Sequence, residues 1–497
     1  MCFVITDDLY LPRPAGPRAP SGIRAGFAEA DITPSPGMET PGGYVKAFSH
    51  SVHDPCKVRA AVFDNGRCRV ALVSVDALVV PRALVDAVRR EIRRCCGIGP
   101  EAVMIAATHT HSGGPVGMIQ PGDFDHASPL VRRLAYEVSS CADAGYLRRV
   151  VDQAVGAVAR ANGAMTEAWL SFGKCAEDRV AFNRRFKMRD GLTFTHPGRG
   201  HPDIAAPAGP IDPEVGALGA WDRDGQLLGC AVNYACHCTT NPEGFSANWV
   251  YYMERAIGGA LGSAAPVLFL PGASGDITQV DNLSPHVEPS GEHSARRVGG
   301  CVGAAALRAL LLAEPGGNLT LDAAVKTWDI PRRIPSPERV RQCLEIVGRP
   351  QGEAGHAEWV FAKEIVLLDA LLARERSLAV EVQAVQIGPA IFLGAPGELF
   401  VELGLEIKRR SPFPFTWPVT LANGCAGYVP AEAAFGPGGG GYETRLTSYS
   451  NLDHSAGRQM VEAAAELAHR LGPDPAPEPQ RAPPAKATWS YGSAPPE

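Results

Sequence analysis

Two histidines one residue apart, His109 and His111, follow the apolar run Ala102–Ala107 and precede Ser112-Gly113-Gly114. If the strand continues through them, its two-residue period sets both imidazoles on one face. That spacing suits a shared metal ion, or one metal ligand beside a substrate-binding partner, and the two glycines allow close backbone approach. A third histidine, His237, lies between Cys236 and Cys238. In an extended segment both cysteines face away from it, and cysteines at i and i+2 lack the second pair that a structural zinc site uses. His237 therefore reads as a ligand among buried apolar neighbours, with a satisfied core histidine as the alternative. Glu398 follows the run Ala390–Leu393 and a Gly394-Ala395-Pro396-Gly397 turn. It is either a helix N-terminal residue or a ligand. Two histidines and a carboxylate are a familiar catalytic zinc set with room left for water, and zinc lowers the pKa of that water toward about 7. The sequence has no HExxH, GxSxG, P-loop or GxGxxG, so zincin, serine-hydrolase and nucleotide-binding chemistry lack support.

The elements that must position these groups are readable from periodicity. Apolar runs at Ala71–Val75, Ala102–Ala107, Leu228–Val232, Val267–Leu270 and Ala390–Leu393 read as buried strands. Each is followed by polar or turn residues: Asp76; Thr108 to Gly114; Asn233 to His237; Gly272 to Asp276; Gly394 to Glu398. In an open α/β sheet, sites form beyond the carboxyl ends of strands, so five such ends together point to one site. Leu84, Val88, Ile92 and Cys95 make a helix face between Pro81 and Gly97. Leu147 to Val158 make a second helix, started at Asp143 and stopped at Asn162-Gly163. Met460 to Leu471 make a third, and the apolar stretch from Trp359 to Leu372 is a candidate substrate wall. The fold class expected is α/β, a large mixed β-sheet flanked by helices. No internal repeat is visible, and the regular eightfold alternation of a TIM barrel is absent.

The chain of 497 residues divides into an irregular leader, 1–23, one catalytic unit, 24–472, and a Pro-rich tail, 473–497, expected to be disordered. A net charge of -6 excludes a basic nucleic-acid groove. No apolar run approaches the roughly 20 residues of a transmembrane segment. The start of the chain lacks a basic region followed by an apolar one, and the 13 cysteines form no framework spacing. Both point to a reduced, cytoplasmic setting. Oligomeric state is left open.

Seven landmarks in order resemble the neutral (non-lysosomal) ceramidase family over about residues 24–450. They are Ala30-Asp31-Ile32-Thr33-Pro34, Thr108 to Gly113, Asn183-Arg184, Asn233 to His237, Gly275-Asp276-Ile277-Thr278, Ala395-Pro396-Gly397-Glu398, and Tyr428-Val429 with Tyr442 downstream. The resemblance implies a ceramidase-like catalytic domain with a zinc held by His109, His237, Glu398 and Tyr428. It implies that His111 faces the substrate, that Arg184 and Tyr442 polarise it, and that a glycine near the first landmark, Gly26, gives a backbone contact. Asp276 is expected to orient a histidine, and Thr278 stands where the family has a serine that positions the scissile amide.

The chain departs from the family pattern in four places. Gly275-Asp276-Ile277-Thr278-Gln279-Val280 replaces Gly-Asp-x-Ser-Pro-Asn; Pro437 to Gly441 look like a loosened loop; a C-terminal β-sandwich is missing; and no secretion signal is seen. The expected activity is zinc-dependent hydrolysis, or in reverse formation, of an N-acyl amide, with a small-molecule acyl-amide other than ceramide as substrate. An acyltransferase or cyclase of specialised metabolism would use the same site. A degenerate, non-catalytic binding protein is the reading from another class, favoured only by the altered Thr278 segment.

Overall fold

The computed structural model describes residues 20–287, 290–349 and 355–479. Most of the expected leader and the tail from residue 480 lie outside the described residues. Regular structure begins at Arg24, and residues 473–479 have no helix or strand. Their first turn is tied down, however: the Asp474 carboxylate accepts from Thr320 N at 2.6 Å and from its Oγ1 at 2.8 Å.

The structure is α/β, with mixed sheets flanked by helices, and its strands are distributed over three larger sheets that share one connectivity. In the first, β1 (Arg24–Asp31), β2 (Lys57–Asp64) and β3 (Arg69–Val75) form an antiparallel meander. Helix α1 (Arg82–Cys96) then carries the chain to β4 (Val103–Ala107), parallel to β3. Helix α2 (Ala144–Gly163) follows. The second sheet repeats this order with β5 (Trp169–Ala176), β6 (Glu214–Trp221) and β7 (Leu227–Tyr234) antiparallel. Crossover helix α3 (Trp249–Leu261), parallel strand β8 (Val267–Pro271) and helix α4 (Gly291–Leu312) complete it. The third has β9 (Leu321–Pro331), then helices α5 (Pro337–Val347) and α6 (His356–Leu372) inserted before β10 (Ser377–Ile387) and β11 (Ala390–Gly394). Crossover helix α7 (Val401–Arg410), parallel strand β12 (Phe415–Val419) and helix α8 (Ala456–Leu471) follow. A repeat invisible in the residues is therefore present in the topology.

Local chemistry explains the helix bounds. Helix α1 buries Leu84, Val88 and Ile92 and stops where Gly97 takes φ 72 and its N–H donates to Arg93 O. Helix α2 starts at Asp143, whose carboxylate accepts from Tyr146 N at 2.7 Å. Helix α6 is buried on all sides from Trp359 to Leu368, as a helix apolar around its circumference must be. Among the described residues no helix is long and apolar enough to cross a membrane, and the cysteines are free.

The three sheets meet along their fourth strands. Ala107 N donates to Leu421 O at 3.2 Å, Asn423 N to Ile105 O at 2.8 Å, and Thr420 N to Pro271 O at 2.9 Å. Ser74 Oγ donates to Phe269 O at 2.7 Å, and Asn233 Nδ2 bridges Leu270 O and Pro418 O. The first sheet is also tied to α3 by a buried ion cluster. Arg59, fully buried, reaches Asp76 Oδ2 at 2.9 Å and Glu254 Oε2 at 2.7 Å. Removing one member of such a cluster leaves a desolvated charge uncompensated. Arg59→Met is expected to destabilise the fold by about 3–5 kcal/mol, read as a lower urea midpoint at unchanged slope. A loss below about 1 kcal/mol, the size of a surface pair, would show that the cluster does not join the two units.

Candidate metal centre

The strand does not continue through the two histidines, contrary to the simplest reading of their spacing. Strand β4 ends at Ala107, and His109 takes a positive φ of 66. The left-handed residue turns the chain so that the imidazoles still converge, with His109 Nε2 and His111 Nε2 3.4 Å apart. The backbone beyond is anchored to the segment carrying the third histidine: His111 N donates to Cys238 O at 3.2 Å, and Thr110 bridges Cys238. Cys236 and Cys238 are buried in the apolar core of the second sheet, and burial raises both thiols far above their ordinary range.

Each ligand candidate is oriented from behind. His109 Nδ1 lies 2.9 Å from Leu78 O, and His237 Nδ1 lies 2.6 Å from Ser274 O and 3.0 Å from Ile277 O. A carbonyl can only accept, so both Nδ1 atoms carry the proton and both Nε2 atoms present lone pairs. Those lone pairs face the same atom: Glu398 Oε2 lies 3.2 Å from His109 Nε2 and 3.2 Å from His237 Nε2. This oxygen is buried and makes no hydrogen bond. The three imidazoles His109, His111 and His237 could hold a metal ion. Burial, with the charge of Arg184 adding to it, pushes His237 down to about 3, and burial beside the other two rings also lowers His111. At neutral pH the His111 and His237 rings are therefore uncharged.

A cation fits these donors. Ligand atoms at about 2.0–2.1 Å from a tetrahedral zinc sit roughly 3.3 Å from one another, which matches the 3.2 Å separations of Glu398 Oε2 from His109 Nε2 and His237 Nε2. The carboxylate oxygen itself is unpartnered between two imine nitrogens, although His237 Nε2 also lies 3.3 Å from Arg184 Nη1.

Glu398 and Tyr428, thirty residues apart in sequence, are direct neighbours in a short parallel ladder, Glu398–Leu399 with Tyr428–Val429. Helix α7 begins just beyond Glu398, and its first N–H is taken by another residue: Asp276 Oδ1 accepts from Val401 N at 2.8 Å. This corrects the expected role of Asp276. Its carboxylate caps a helix and accepts from Asn183 Nδ2 at 2.9 Å; it does not sit on a histidine. Burial raises it to about 6. Glu398 is thereby released from the N-terminal role that the sequence left open. Thr278 is buried beside Phe182 in a two-residue ladder, and its hydroxyl donates to Gln279 Oε1 at 3.3 Å. It lies outside the wall of the cavity over the histidines. Gly26 is also elsewhere: it pairs with Val62 in β2 and lies under α2, where a Cβ would be 2.0 Å from Ala161 O. The glycine at the site is Gly42, with φ 143, packed so closely on His111 that a Cβ would meet Nδ1 at 2.7 Å.

Arg184 is buried and brings four groups together. Its Nε donates to Glu443 Oε1 at 2.9 Å, Nη2 to Gly275 O at 2.7 Å and to Tyr428 Oη at 3.2 Å, and Nη1 lies 3.3 Å from His237 Nε2. Tyr428 and Tyr442 share a hydroxyl contact of 2.9 Å, and burial pushes Tyr442 up to about 12. The loop before Tyr442 is not loosened. Gly440 O accepts from Arg185 Nη2 at 2.7 Å and Gly438 O from Thr193 Oγ1 at 2.6 Å, and φ 118 at Gly440 requires the glycine.

Glu443 is the residue the sequence reading missed. It is fully buried and accepts from both Arg184 and Thr195 Oγ1, the latter at 2.6 Å. Only its place beside Tyr442 hinted at it. Glu443→Gln is expected to lower kcat about 10–100-fold with metal content unchanged, the effect of loosening an orienting partner. Unchanged turnover would show that Arg184 needs no such support.

No protein-family model matches the chain. No curated protein matches it either. Among the solved structures that match its fold are two of ceramidases. A structure titled "Ceramidase complexed with C2" superposes with a TM-score of 0.66 at 19% identity, covering 92% of this chain and 77% of its own. A crystal structure of neutral ceramidase from Pseudomonas aeruginosa gives 0.65 at 21% identity, covering 92% and 76%. The chain has the fold of the neutral ceramidases.

Proposed function

We propose that this chain is a metal-dependent amidohydrolase that cleaves an N-acyl amide. The observation that carries the reading is the buried Glu398 oxygen facing two imidazole lone pairs at 3.2 Å with no hydrogen bond of its own. In this reading residues 24–472 are the catalytic unit, and His109, His237, Glu398 and Tyr428 hold a zinc ion. When bound, the metal would supply Lewis-acid polarisation of the carbonyl and a water acidic enough to react at neutral pH. The likeness to ceramidases supports amide chemistry at such a site.

The chain's own residues complete the reaction. The Arg184 guanidinium and Tyr442 hydroxyl, fixed by Glu443 and Tyr428, are donors placed in advance for the negative charge that develops on the carbonyl oxygen. His111 accepts a proton from the attacking water and returns it to the leaving amine as the amide C–N bond breaks. Leu78 O and Ser274 O keep His109 and His237 in the tautomer that offers Nε2. The aromatic walls of the cavity, about 280 Å³ in volume, exclude bulk water.

Metal analysis of the purified protein beside His237→Ala tests this. The wild type is expected to hold one zinc per chain and to hydrolyse N-acyl amides, with both lost in the variant and turnover restored to chelated wild type by zinc. Turnover retained in metal-free protein would overturn the reading.

A further inference from the structure

The metal cavity has a neighbour. Met118 and Tyr449 wall the cavity that holds His109, His111 and Glu398, and the same two side chains wall a second cavity of about 300 Å³. A space of about 30 Å³, bounded also by Ile119 and Ser448, lies between them. Met118 and Tyr449 are walls common to all three and form the partition between them.

The second chamber is built for an uncharged ligand. Apolar side chains line it, among them Val79, Phe124, Leu371 and Leu378. Four of its five charged groups are paired among themselves: Arg82 with Glu381 at 2.7 Å and Arg332 with Glu375 at 2.8 Å. Asp123 accepts from Gln120 N at 2.7 Å. What remains on offer is apolar surface.

The two sides of the partition differ in stiffness. The Tyr449 side is pinned by a buried ion pair on α6. Lys363 meets Glu364 at 2.7 Å, and its Nζ donates to Tyr44 O at 2.8 Å. Glu364 Oε2 accepts from Ser448 Oγ at 2.6 Å. The rings of Tyr44 and Tyr449 lie 5.9 Å apart. Met118 has no comparable restraint. Its thioether rests 3.3 Å from Cys425 Sγ, and an unbranched side chain with three rotatable bonds can swing aside at little cost.

We propose that the second chamber is a substrate subsite that receives an uncharged, apolar arm of an N-acyl amide, and that Met118 is the gate which sets how long that arm can be. This rests on the metal cavity being where the amide is cleaved. Either the acyl chain or an alkyl group on the amine has the required chemistry.

Two substrate series decide between those arms and test the gate. One runs from acetyl to dodecanoyl on a common amine; the other runs from methyl to dodecyl on an N-acetyl amine. In one series kcat/KM should rise about threefold to fourfold per added methylene until the chamber is full, the effect of burying each group. Met118→Trp, which blocks the neck, and Ala379→Trp, at the exposed far rim, should each cut the long-to-short ratio at least tenfold. Binding of a dodecanamide whose nitrogen carries a dansylaminoethyl group, followed by fluorescence, requires no turnover. It should weaken at least tenfold in Ala379→Trp, and that result stands even if no amide is hydrolysed. Flat ratios in both series, or dansyl-amide binding unchanged by Ala379→Trp, would overturn the proposal.

Discussion

The architecture depends on one electrostatic constraint: two imidazole lone pairs and a carboxylate oxygen are held near one point in a buried pocket. Left alone they repel, and burial removes the water that would otherwise solvate them. Each must therefore be pushed in from behind by something stronger. The backbone does this, through Leu78 O and Ser274 O on the far nitrogens and the ladder that sets Glu398 beside Tyr428. A cation at the centre reverses the sign of the interaction, so the arrangement reads as a site whose geometry is fixed before its ligand arrives.

The threefold connectivity explains how residues so distant in sequence meet. Each unit turns its fourth strand parallel to its third, so both point their carboxyl ends the same way, and the three fourth strands lie together. Loops after those ends share one region. The chemistry does not follow the symmetry. The second and third units send His237 and Glu398 from the ends of their third strands, whereas the matching end in the first unit, Asp76, is taken by Arg59. The first unit contributes His109 after its fourth strand instead. One end is spent on joining the units, and the others on the site.

The residues show why part of this was legible. The five strands found from apolar runs are third or fourth strands of the units, buried on both faces, which makes them nearly continuous hydrophobic stretches. Strand β12 escaped because Pro418 interrupts it, and β9 because only Leu321, Ala324 and Ile330 of its 11 residues are buried. The His-x-His pair was visible, but the physical cause of its convergence is the left-handed His109, which no periodicity encodes. Asp276 looked like a site residue because it follows a strand, yet the nearest unsatisfied donor was the start of α7. Gly42 carries no local signal and Glu443 only its place beside Tyr442; each is defined by what lies against it across the fold.

Buried ion pairs around the site pose a further question, since such pairs seldom add net stability and apolar replacements of similar volume often do as well. Arg184–Glu443 and Lys363–Glu364 are both deeply buried. Apolar side chains would fill the same volume but would not select a position for the groups around them. Each pair here makes directional contacts with separate chain segments. Arg184 and Glu443 tie together Gly275, Tyr428 and Thr195; Lys363 and Glu364 tie Tyr44 to Ser448. The segments so joined are the walls of the metal cavity and of its partition. The pairs are thus best understood as fixing register among loops that the sheets bring close but do not themselves align, which leaves Met118 as the wall with the most freedom to move.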